Sequence, residues 1–86
     1  MKYFVYILEC ADGTYYCGIT NDLNKRVRSH NGDSVGAKYT RGRRPVKLVY
    51  SETLKDKSTA LKREIEIKAL SRTMKKALIH ESSMNR

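Results

Sequence analysis

The sequence has no tryptophan, one phenylalanine, two cysteines and half as many acidic as basic residues. No apolar stretch approaches the roughly 20 residues that a helix needs to cross a bilayer. The apolar N-terminal run is interrupted by Glu9, too soon for a signal peptide. With no tryptophan and no strongly amphipathic helix with a basic face, binding to a membrane surface is disfavoured. We therefore expect a cytoplasmic protein, nucleoid-associated if bacterial, without a membrane partner.

The two cysteines, Cys10 and Cys17, both lie in apolar, strand-like runs. They form no C-x-x-C motif and neighbour no His-rich cluster, which argues against a zinc site. Two small buried thiols in a reducing compartment are the simpler interpretation.

The chain of 86 residues is short enough to be one domain, predicted over residues 1–81 with a frayed tail over 82–86. Its 18 Lys and Arg against 9 Asp and Glu give a formal charge of +9. Such an excess favours polyanionic partners, with nucleic acid first. A surface charge that serves only solubility is the alternative.

The N-terminal part predicts a β-hairpin. Tyr3–Cys10 is aromatic and β-branched, as is typical of a strand. The turn signal Asp12-Gly13 and a second short strand over Tyr15–Ile19 follow, so the two strands should pair antiparallel. Gly18 lies near the end of the second strand, where a glycine often lets a ligand or another backbone come close.

Caps and periodicity predict the remaining elements. In chain order the first two are a helix over Leu23–Asn31, with Thr20, Asn21 and Asp22 as candidate caps, and a strand over Val46–Glu52. A helix capped by Ser58 or Thr59 then runs to Ser71, and a short helix capped by Thr73 runs from Met74 to about Glu81. The order β-β-α-β-α-α predicts an α+β fold with a small three-stranded mixed or antiparallel sheet flanked by helices.

The second helix carries two charged residues inside an apolar arc. On a helical wheel, Glu64 and Lys68 fall between the apolar residues, which are Leu61, Ile65 and Ala69 on one side and Ala60 and Ile67 on the other. Charges on a core-facing stripe need a partner, a metal, or water in a cleft. An i,i+4 ion pair between Glu64 and Lys68 at the rim of the core is the structural alternative, and the wheel does not separate the two.

The first helix places Arg26 and His30 four residues apart, on one face beside Leu23 and Val27. The planar fork of an arginine can hold a phosphate. A histidine beside it could donate to a phosphate oxygen or shuttle a proton. A solvated basic face is the alternative.

The predicted hairpin brings two tyrosines, Tyr6 and Tyr16, which can end up on one face of the sheet. Most strand tyrosines are core residues with a satisfied hydroxyl, so neither is informative alone.

A basic loop follows the first helix, and we predict that it contacts nucleic acid. Backbone phosphate contacts combined with one stacking aromatic suit single-stranded or branched DNA. A solvated loop is the alternative. The predicted nucleic-acid contacts are Lys38, Tyr39, Arg41, Arg43, Arg44 and Lys47, together with Lys68 on the second helix.

Five short motifs occur in a recognisable order: Val5-Tyr6-Ile7, then Tyr16-Cys17-Gly18, then Arg26 and His30 on one helix, then Glu64 on a later helix. In this the chain resembles the GIY-YIG nuclease family. The run from Gly18 to Asn31 is the most specific part. The resemblance is closest to small stand-alone members, similar to the nuclease domain of the Slx-type endonuclease subunit.

The resemblance implies a role for each matched residue. Tyr6 and Tyr16 match the two family tyrosines, one of which acts as general base toward the attacking water. Arg26 matches the arginine that steadies the scissile phosphate, and His30 a histidine that assists proton transfer or contacts the phosphate. Glu64 matches the carboxylate that holds one divalent metal, Mg²⁺ or Mn²⁺.

The chemistry is consistent with these residue types. A metal and an arginine both stabilise the charge that develops during phosphodiester hydrolysis. A phenol with a pKa near 10 is a poor base at neutral pH, and a metal and Arg26 nearby would lower that pKa. One carboxylate suits Mg²⁺, which keeps several waters and takes phosphate oxygens as ligands.

Two positions depart from the family pattern. Phe4 replaces the glycine of the first motif, and Thr20 stands where several members carry a lysine. The chain also shows no second DNA-binding domain.

The sequence therefore predicts a metal-dependent DNA endonuclease of low sequence specificity, acting on branched, nicked or single-stranded DNA in repair or recombination. A non-catalytic nucleic-acid-binding module and an accessory subunit that needs a protein partner are the alternatives.

Overall fold

The computed structural model describes residues 2–31 and 44–84. In this part of the chain the elements are β1 (Tyr3–Cys10), β2 (Tyr15–Thr20), α1 (Leu23–His30), β3 (Val46–Leu54), α2 (Lys57–Lys68) and α3 (Arg72–Met84). The predicted α+β fold and its order β-β-α-β-α-α are confirmed. The strands form one sheet in the order β2-β1-β3, and both pairings are antiparallel, so the mixed sheet is excluded.

The β1–β2 hairpin closes through the predicted turn. Gly13 adopts a φ of 84°, a left-handed conformation that suits glycine. The side chain of Asp12 accepts from the backbone N–H of Thr14 at 3.1 Å and from its hydroxyl at 2.6 Å. The turn fixes a register in which Tyr6 faces Gly18 and Leu8 faces Tyr16.

The helices cover both faces of the sheet. On one face, Leu23 and Val27 of α1 pack against a buried cluster of Tyr6, Leu8, Cys10 and Val46. On the other face, α2 and α3 pack against a cluster of Val5, Ile7, Cys17, Tyr50, Ala60 and Ile67. Because side chains alternate along a strand, β1 supplies residues to both clusters, and it is buried as the central strand. Over the described ranges 2–31 and 44–84, no helix is long and apolar enough to cross a membrane.

Side-chain caps decide where the first two helices begin. Asp22 caps α1 by accepting from the N–H of Lys25 at 3.0 Å, in agreement with the prediction. The cap predicted for α2 was wrong, since Asp56 accepts from the N–H of Thr59 at 2.8 Å and α2 begins at Lys57. The helix thus begins two to three residues earlier than predicted, because the carboxylate of Asp56 satisfies a free N–H of its first turn.

The remaining ends also differ from the prediction. α2 stops at Lys68 rather than at Ser71, because Ser71 serves α3 by accepting from the N–H of Met74 at 3.2 Å. Thr73 therefore lies inside α3, which extends from Arg72 to Met84. β3 continues to Leu54, two residues past Glu52.

The side of α2 that faces the sheet differs from the side that the helical wheel predicted. Ala60 and Ile67 are fully buried, whereas Leu61 is 41% and Ile65 69% exposed, and Ala69 is exposed as well. The buried side of α2 is therefore centred on Ala60 and Ile67. Glu64 lies on the rim of that side, as predicted. The predicted apolar stripe is wrong for Leu61, Ile65 and Ala69, which are exposed.

An ion-pair network holds α2 in this rotation. Arg63 donates from Nε to both carboxylate oxygens of Glu52 on β3 at 3.1 Å and from Nη1 to Glu66 at 2.9 Å. Tyr50 donates from its hydroxyl to the same Glu52 at 2.6 Å. These carboxylates, with the hydrogen bonds that they accept, raise the pKa of Arg63 above its usual range. The charged residues thus select which apolar residues of α2 face the sheet.

Asn31 fastens the end of α1 to the start of β3. Its side-chain oxygen accepts from the N–H of Val46 at 2.8 Å, and its side-chain nitrogen donates to the Val46 carbonyl at 3.0 Å. Arg44 adds a hydrogen bond from Nε to the carbonyl of His30 at 3.0 Å. Both contacts fix the last turn of α1, which carries His30.

The side of α2 that packs against the sheet leads to a prediction on stability. We expect Ile67→Ala to lower the free energy of unfolding by about 2–5 kcal/mol, because it leaves a cavity in the core. The matched variant Ile65→Ala should change it by less than about 0.5 kcal/mol, because Ile65 lies in solvent. Urea denaturation of both variants measures the difference, and equal losses would contradict the rotation of α2.

Candidate active site

The phenol of Tyr6 lies against β2 at Gly18. A Cβ atom added to Gly18 would lie 2.6 Å from the Tyr6 hydroxyl oxygen, 2.8 Å from its Cζ and 3.2 Å from Cε2 of Tyr16. Since real Cβ atoms avoid such distances, only glycine fits under this ring. The predicted close approach at Gly18 is therefore made by a side chain of the neighbouring strand, and it brings the Tyr6 hydroxyl over β2, which is an edge strand.

Tyr6, Tyr16 and His30 form one cluster on the α1 face of the sheet. The Tyr6 hydroxyl is 3.1 Å from Nε2 of His30. The Tyr16 ring lies 4.9 Å from the His30 ring and 6.3 Å from the Tyr6 ring, between centroids. Tyr6 and His30 are almost fully buried, whereas Tyr16 is half-buried. The structure thus brings together three residues that the sequence places on three different elements.

Burial sets the protonation of this cluster. It raises the pKa of Tyr6 well above its usual range, and the neighbouring Tyr16 adds to the effect. Arg26 lowers the pKa of Tyr6, as expected, but burial outweighs it. Burial, and then the charge of Arg26, lower the pKa of His30 from its ordinary value of 6.5. The resting cluster is therefore a neutral phenol beside a neutral imidazole that can accept its proton.

Arg26 lies on the exposed side of α1 and borders an open pocket of about 230 Å³ at the end of β2. The residues that line the pocket are all polar or charged: Thr20, Asn21, Asp22, Lys25, Arg26 and Ser29. Arg26 is thus solvated, as the alternative interpretation of this helix held, while His30 on the same helix is fully buried. Lys25 and Ser29 line this pocket but were not predicted as site residues, although Ser29 follows Arg26 at the i,i+3 spacing of helix neighbours.

Glu64 approaches from the opposite face of the sheet. Its side chain is 17% exposed, and Oε2 lies 3.5 Å from Nζ of Lys68, whose side chain is 57% exposed. The charge of Glu64 raises the pKa of both Tyr6 and Cys17. Tyr6 and Cys17 belong to the clusters on opposite faces of the sheet, so the charge of Glu64 acts on both faces. The predicted ion pair between Glu64 and Lys68 exists, at the rim of the buried side of α2.

One carboxylate limits which metal this place could hold. Between residues 2–31 and 44–84, no group of three or more His, Cys, Asp or Glu side chains could enclose a metal ion. A structural zinc site needs about four protein ligands, so it does not fit these residues. A hard cation that keeps its waters, such as Mg²⁺, fits the single oxygen donor Glu64 once Lys68 moves aside.

The predicted nucleic-acid contacts are dispersed. Lys38, Tyr39, Arg41 and Arg43 lie outside the described residues. Arg44 is exposed and bonds to the His30 carbonyl. Lys47 lies on β3, at the other edge of the sheet, where its ammonium is 3.5 Å from Glu9. Of the described members, only Lys68 lies beside Glu64.

The lowered pKa of His30 predicts a pH dependence of stability. On acidification below about pH 6.5, the unfolded chain takes up a proton at this histidine before the folded protein does. The stability due to neutral His30 is therefore complete above that pH and is lost as the pH falls toward the folded pKa. Urea unfolding between about pH 7.5 and 5.5 should show a shallower loss in His30→Gln than in the parent. The exposed His80→Gln is the control, and a slope in His30→Gln as steep as the parent's would contradict the assignment.

Comparison with known proteins shows the family of this domain. The profile of the GIY-YIG catalytic domain matches residues 2–77. A UPF0213 protein of Desulfotalea psychrophila is 55% identical over 80 residues, which are 93% of this chain and 73% of the relative. A UPF0213 protein of Halobacterium salinarum is 55% identical over 74 residues, 86% of this chain and 95% of the relative.

Solved structures agree with the fold. The solution NMR structure of a UPF0213 protein from Bacillus halodurans is 45% identical and superimposes with a TM-score of 0.60, covering 93% of this chain and 84% of the other. That of a protein from E. faecalis is 32% identical with a TM-score of 0.65, covering 98% and 88%. The chain therefore belongs to the GIY-YIG family, with the nuclease-type fold of that domain and UPF0213 proteins among its relatives.

Proposed function

We propose that this protein is a divalent-metal-dependent endonuclease that hydrolyses phosphodiester bonds of DNA with low sequence specificity. The observation that supports the proposal is a buried tyrosine–histidine pair beside β2, with an exposed arginine on one face of the sheet and a partly buried carboxylate on the other. The charges of both Arg26 and Glu64 act on the Tyr6 hydroxyl, although the two residues come from opposite faces of the sheet.

Arg26 is proposed to hold the scissile phosphate. It borders the polar pocket at the end of β2, where Lys25 and the hydroxyl of Ser29 could contact the same phosphate or its neighbour. Its guanidinium offers two parallel N–H groups to two phosphate oxygens. This would orient the phosphorus atom over the Tyr6 hydroxyl and stabilise the charge that develops during attack.

Tyr6 and His30 are proposed to carry the proton. With its proton on Nδ1, neutral His30 accepts from the Tyr6 hydroxyl at Nε2, over the observed 3.1 Å. Tyr6 could then take a proton from the attacking water as its own proton passes to His30. Tyr16, half-buried at the mouth of the cluster, is the second phenol that could orient the water or act as the base.

Glu64 is proposed to hold one Mg²⁺ or Mn²⁺ ion. Such an ion supplies positive charge to the phosphoryl and leaving oxygens. Glu64 is buried enough to be held in place and exposed enough to be reached from solvent. Burial raises the pKa of Tyr6, so positive charge near this hydroxyl would be needed for activity at neutral pH.

The substrate is proposed to be branched, nicked or single-stranded DNA, as in repair or recombination in the cytoplasm. The formal charge of +9 supports binding to a polyanion. Contacts to phosphate carry no base sequence information, and this supports low sequence specificity. A protein partner that supplies targeting is part of the same proposal.

A cleavage assay tests the role of Glu64. We expect the parent to cut labelled flap, fork, nicked or single-stranded DNA in Mg²⁺ and not in EDTA. Glu64→Gln should lower the rate by about a hundredfold or more, since it removes the charge that holds the ion. The control is Glu81→Gln, which removes an exposed carboxylate of α3 and should cut at nearly the parental rate. A single-stranded RNA arm decides between DNA and RNA.

The outcomes separate the alternatives. A Glu64→Gln protein that cuts as well as the parent would show that the metal site is misassigned. If the parent binds DNA in a salt-sensitive way but cuts none of these substrates, the protein is a binding module or needs a partner.

The hydroxyl of Tyr6 gives a second prediction. Tyr6→Phe keeps the ring over Gly18 and removes only the oxygen that contacts His30. We expect the rate of single-turnover cleavage to fall by about a hundredfold or more, because a general base contributes at least that much to the rate. DNA affinity should stay at the parental level. Tyr3→Phe on the same strand is the control, and equal cleavage by both variants would exclude Tyr6 from the chemistry.

A further inference from the structure

Lys75 of α3 lies on the side of that helix that packs against the sheet. Leu78 and Ile79, three and four residues later, contact the core cluster that contains Cys17. Residues at these spacings share a helix face, so the ammonium of Lys75 extends along the same face. Its charge lowers the pKa of Cys17, although burial and Glu64 outweigh it and the net pKa is raised to about 11. Lys75 is half-buried and forms no ion pair with any residue that the structure describes.

Lys68 reaches the same place from the end of α2. It also lowers the pKa of Cys17, and its ammonium is 3.5 Å from Glu64. Only residues 69–71 separate α2 from α3. Lys68 and Lys75, from two consecutive helices, therefore both lie on the α2 and α3 side of the sheet, opposite the tyrosine cluster.

This place favours an anion. The first turn of α3 contains no acidic residue to complement the positive end of its dipole. It carries Lys75 instead, so the helix terminus and the lysine have the same sign. Glu64 is the carboxylate that pairs with Lys68. A cation bound to Glu64 would neutralise its charge in place of Lys68. A cation at Glu64 would leave Lys68 and Lys75 without a counterion.

We propose that Lys68 and Lys75 form a second phosphate subsite, for a backbone phosphate next to the scissile one, and that Lys68 becomes available to it only when a divalent cation takes Glu64. The proposal rests on the proposed function, because it needs a cation at Glu64 and a nucleic-acid strand across β2. In the metal-free protein Lys68 is the counterion of Glu64. Cation binding releases it, so that cation and DNA bind cooperatively.

The subsite would determine the path of the strand. Arg26 and its pocket lie on the α1 side of β2, and the two lysines lie on the α2 and α3 side. A strand bound to both would cross the β2 edge with Tyr6 and Glu64 at the crossing. Lysine suits this role because it binds phosphate as a point charge and needs no fixed geometry.

The salt dependence of DNA binding tests the proposal. Binding of a short single-stranded DNA is measured by anisotropy between about 50 and 200 mM salt, once in EDTA and once in Ca²⁺, which binds carboxylate oxygens. Each lost phosphate contact reduces the slope of log K against log salt by about 0.7. We expect Lys75→Gln to reduce the slope in both conditions. Lys68→Gln should reduce it in Ca²⁺ and leave it unchanged in EDTA.

Two further variants complete the design. Lys62→Gln removes the same charge on the opposite side of α2 from Glu64, and its slope should match that of the parent. In a Glu64→Gln background Lys68 has lost its counterion, so adding Lys68→Gln should reduce the slope even in EDTA. Circular dichroism verifies that each variant is folded.

Either of two results would overturn the proposal. Parental slopes for both Lys68→Gln and Lys75→Gln in Ca²⁺ would exclude the subsite. Equal losses for Lys68→Gln in EDTA and in Ca²⁺ would exclude its release by the cation. These readouts do not require cleavage. If the slopes behave as expected and the parent cuts no DNA, the proposed function fails and the subsite stands. If the parent cuts DNA and the variants keep the parental slope, the subsite fails and the proposed function stands.

Discussion

The contact between the Tyr6 ring and the backbone of Gly18 is the constraint on which the rest of the site depends. It brings a phenol hydroxyl from the central strand to the edge of the sheet. A buried hydroxyl needs a hydrogen-bond partner, and His30 provides one from α1. No buried side-chain nitrogen or oxygen lacks a partner across the described residues. The fold thus has a satisfied polar cluster inside an apolar layer, and its position follows from the absence of one side chain.

The hairpin and the residues of the first helix could be predicted from the sequence. The aromatic and β-branched run Tyr3–Cys10, the Asp12-Gly13 turn and the cap at Asp22 are local signals, and the structure agrees with each. That Tyr6 and Tyr16 share a face follows from the hairpin register. The burial of His30 beside an exposed Arg26 could not be predicted, because it depends on how α1 is fastened to β3 through Asn31.

The rotation of α2 could not be predicted from its apolar residues. Leu61 and Ile65 are as apolar as Ile67, and periodicity alone does not say which of them face the sheet. The contact of Arg63 with Glu52, which joins α2 to the preceding strand β3, fixes the outcome, and a helical wheel of α2 does not contain that contact. The same network holds Glu64 at the rim. The position of the candidate metal ligand is therefore coupled to the stability of the core.

The free edge of β2 has a consequence for association between copies of the protein. An edge strand presents unpaired backbone N–H and C=O groups that can pair with another edge, and natural proteins protect such edges with charge. Here Lys25 and Arg26 flank the edge on one side and Lys68 and Lys75 on the other. Two copies approaching edge to edge would bring these like charges together. The basic residues proposed to attract a polyanion would thus also oppose pairing between the β2 edges of two copies.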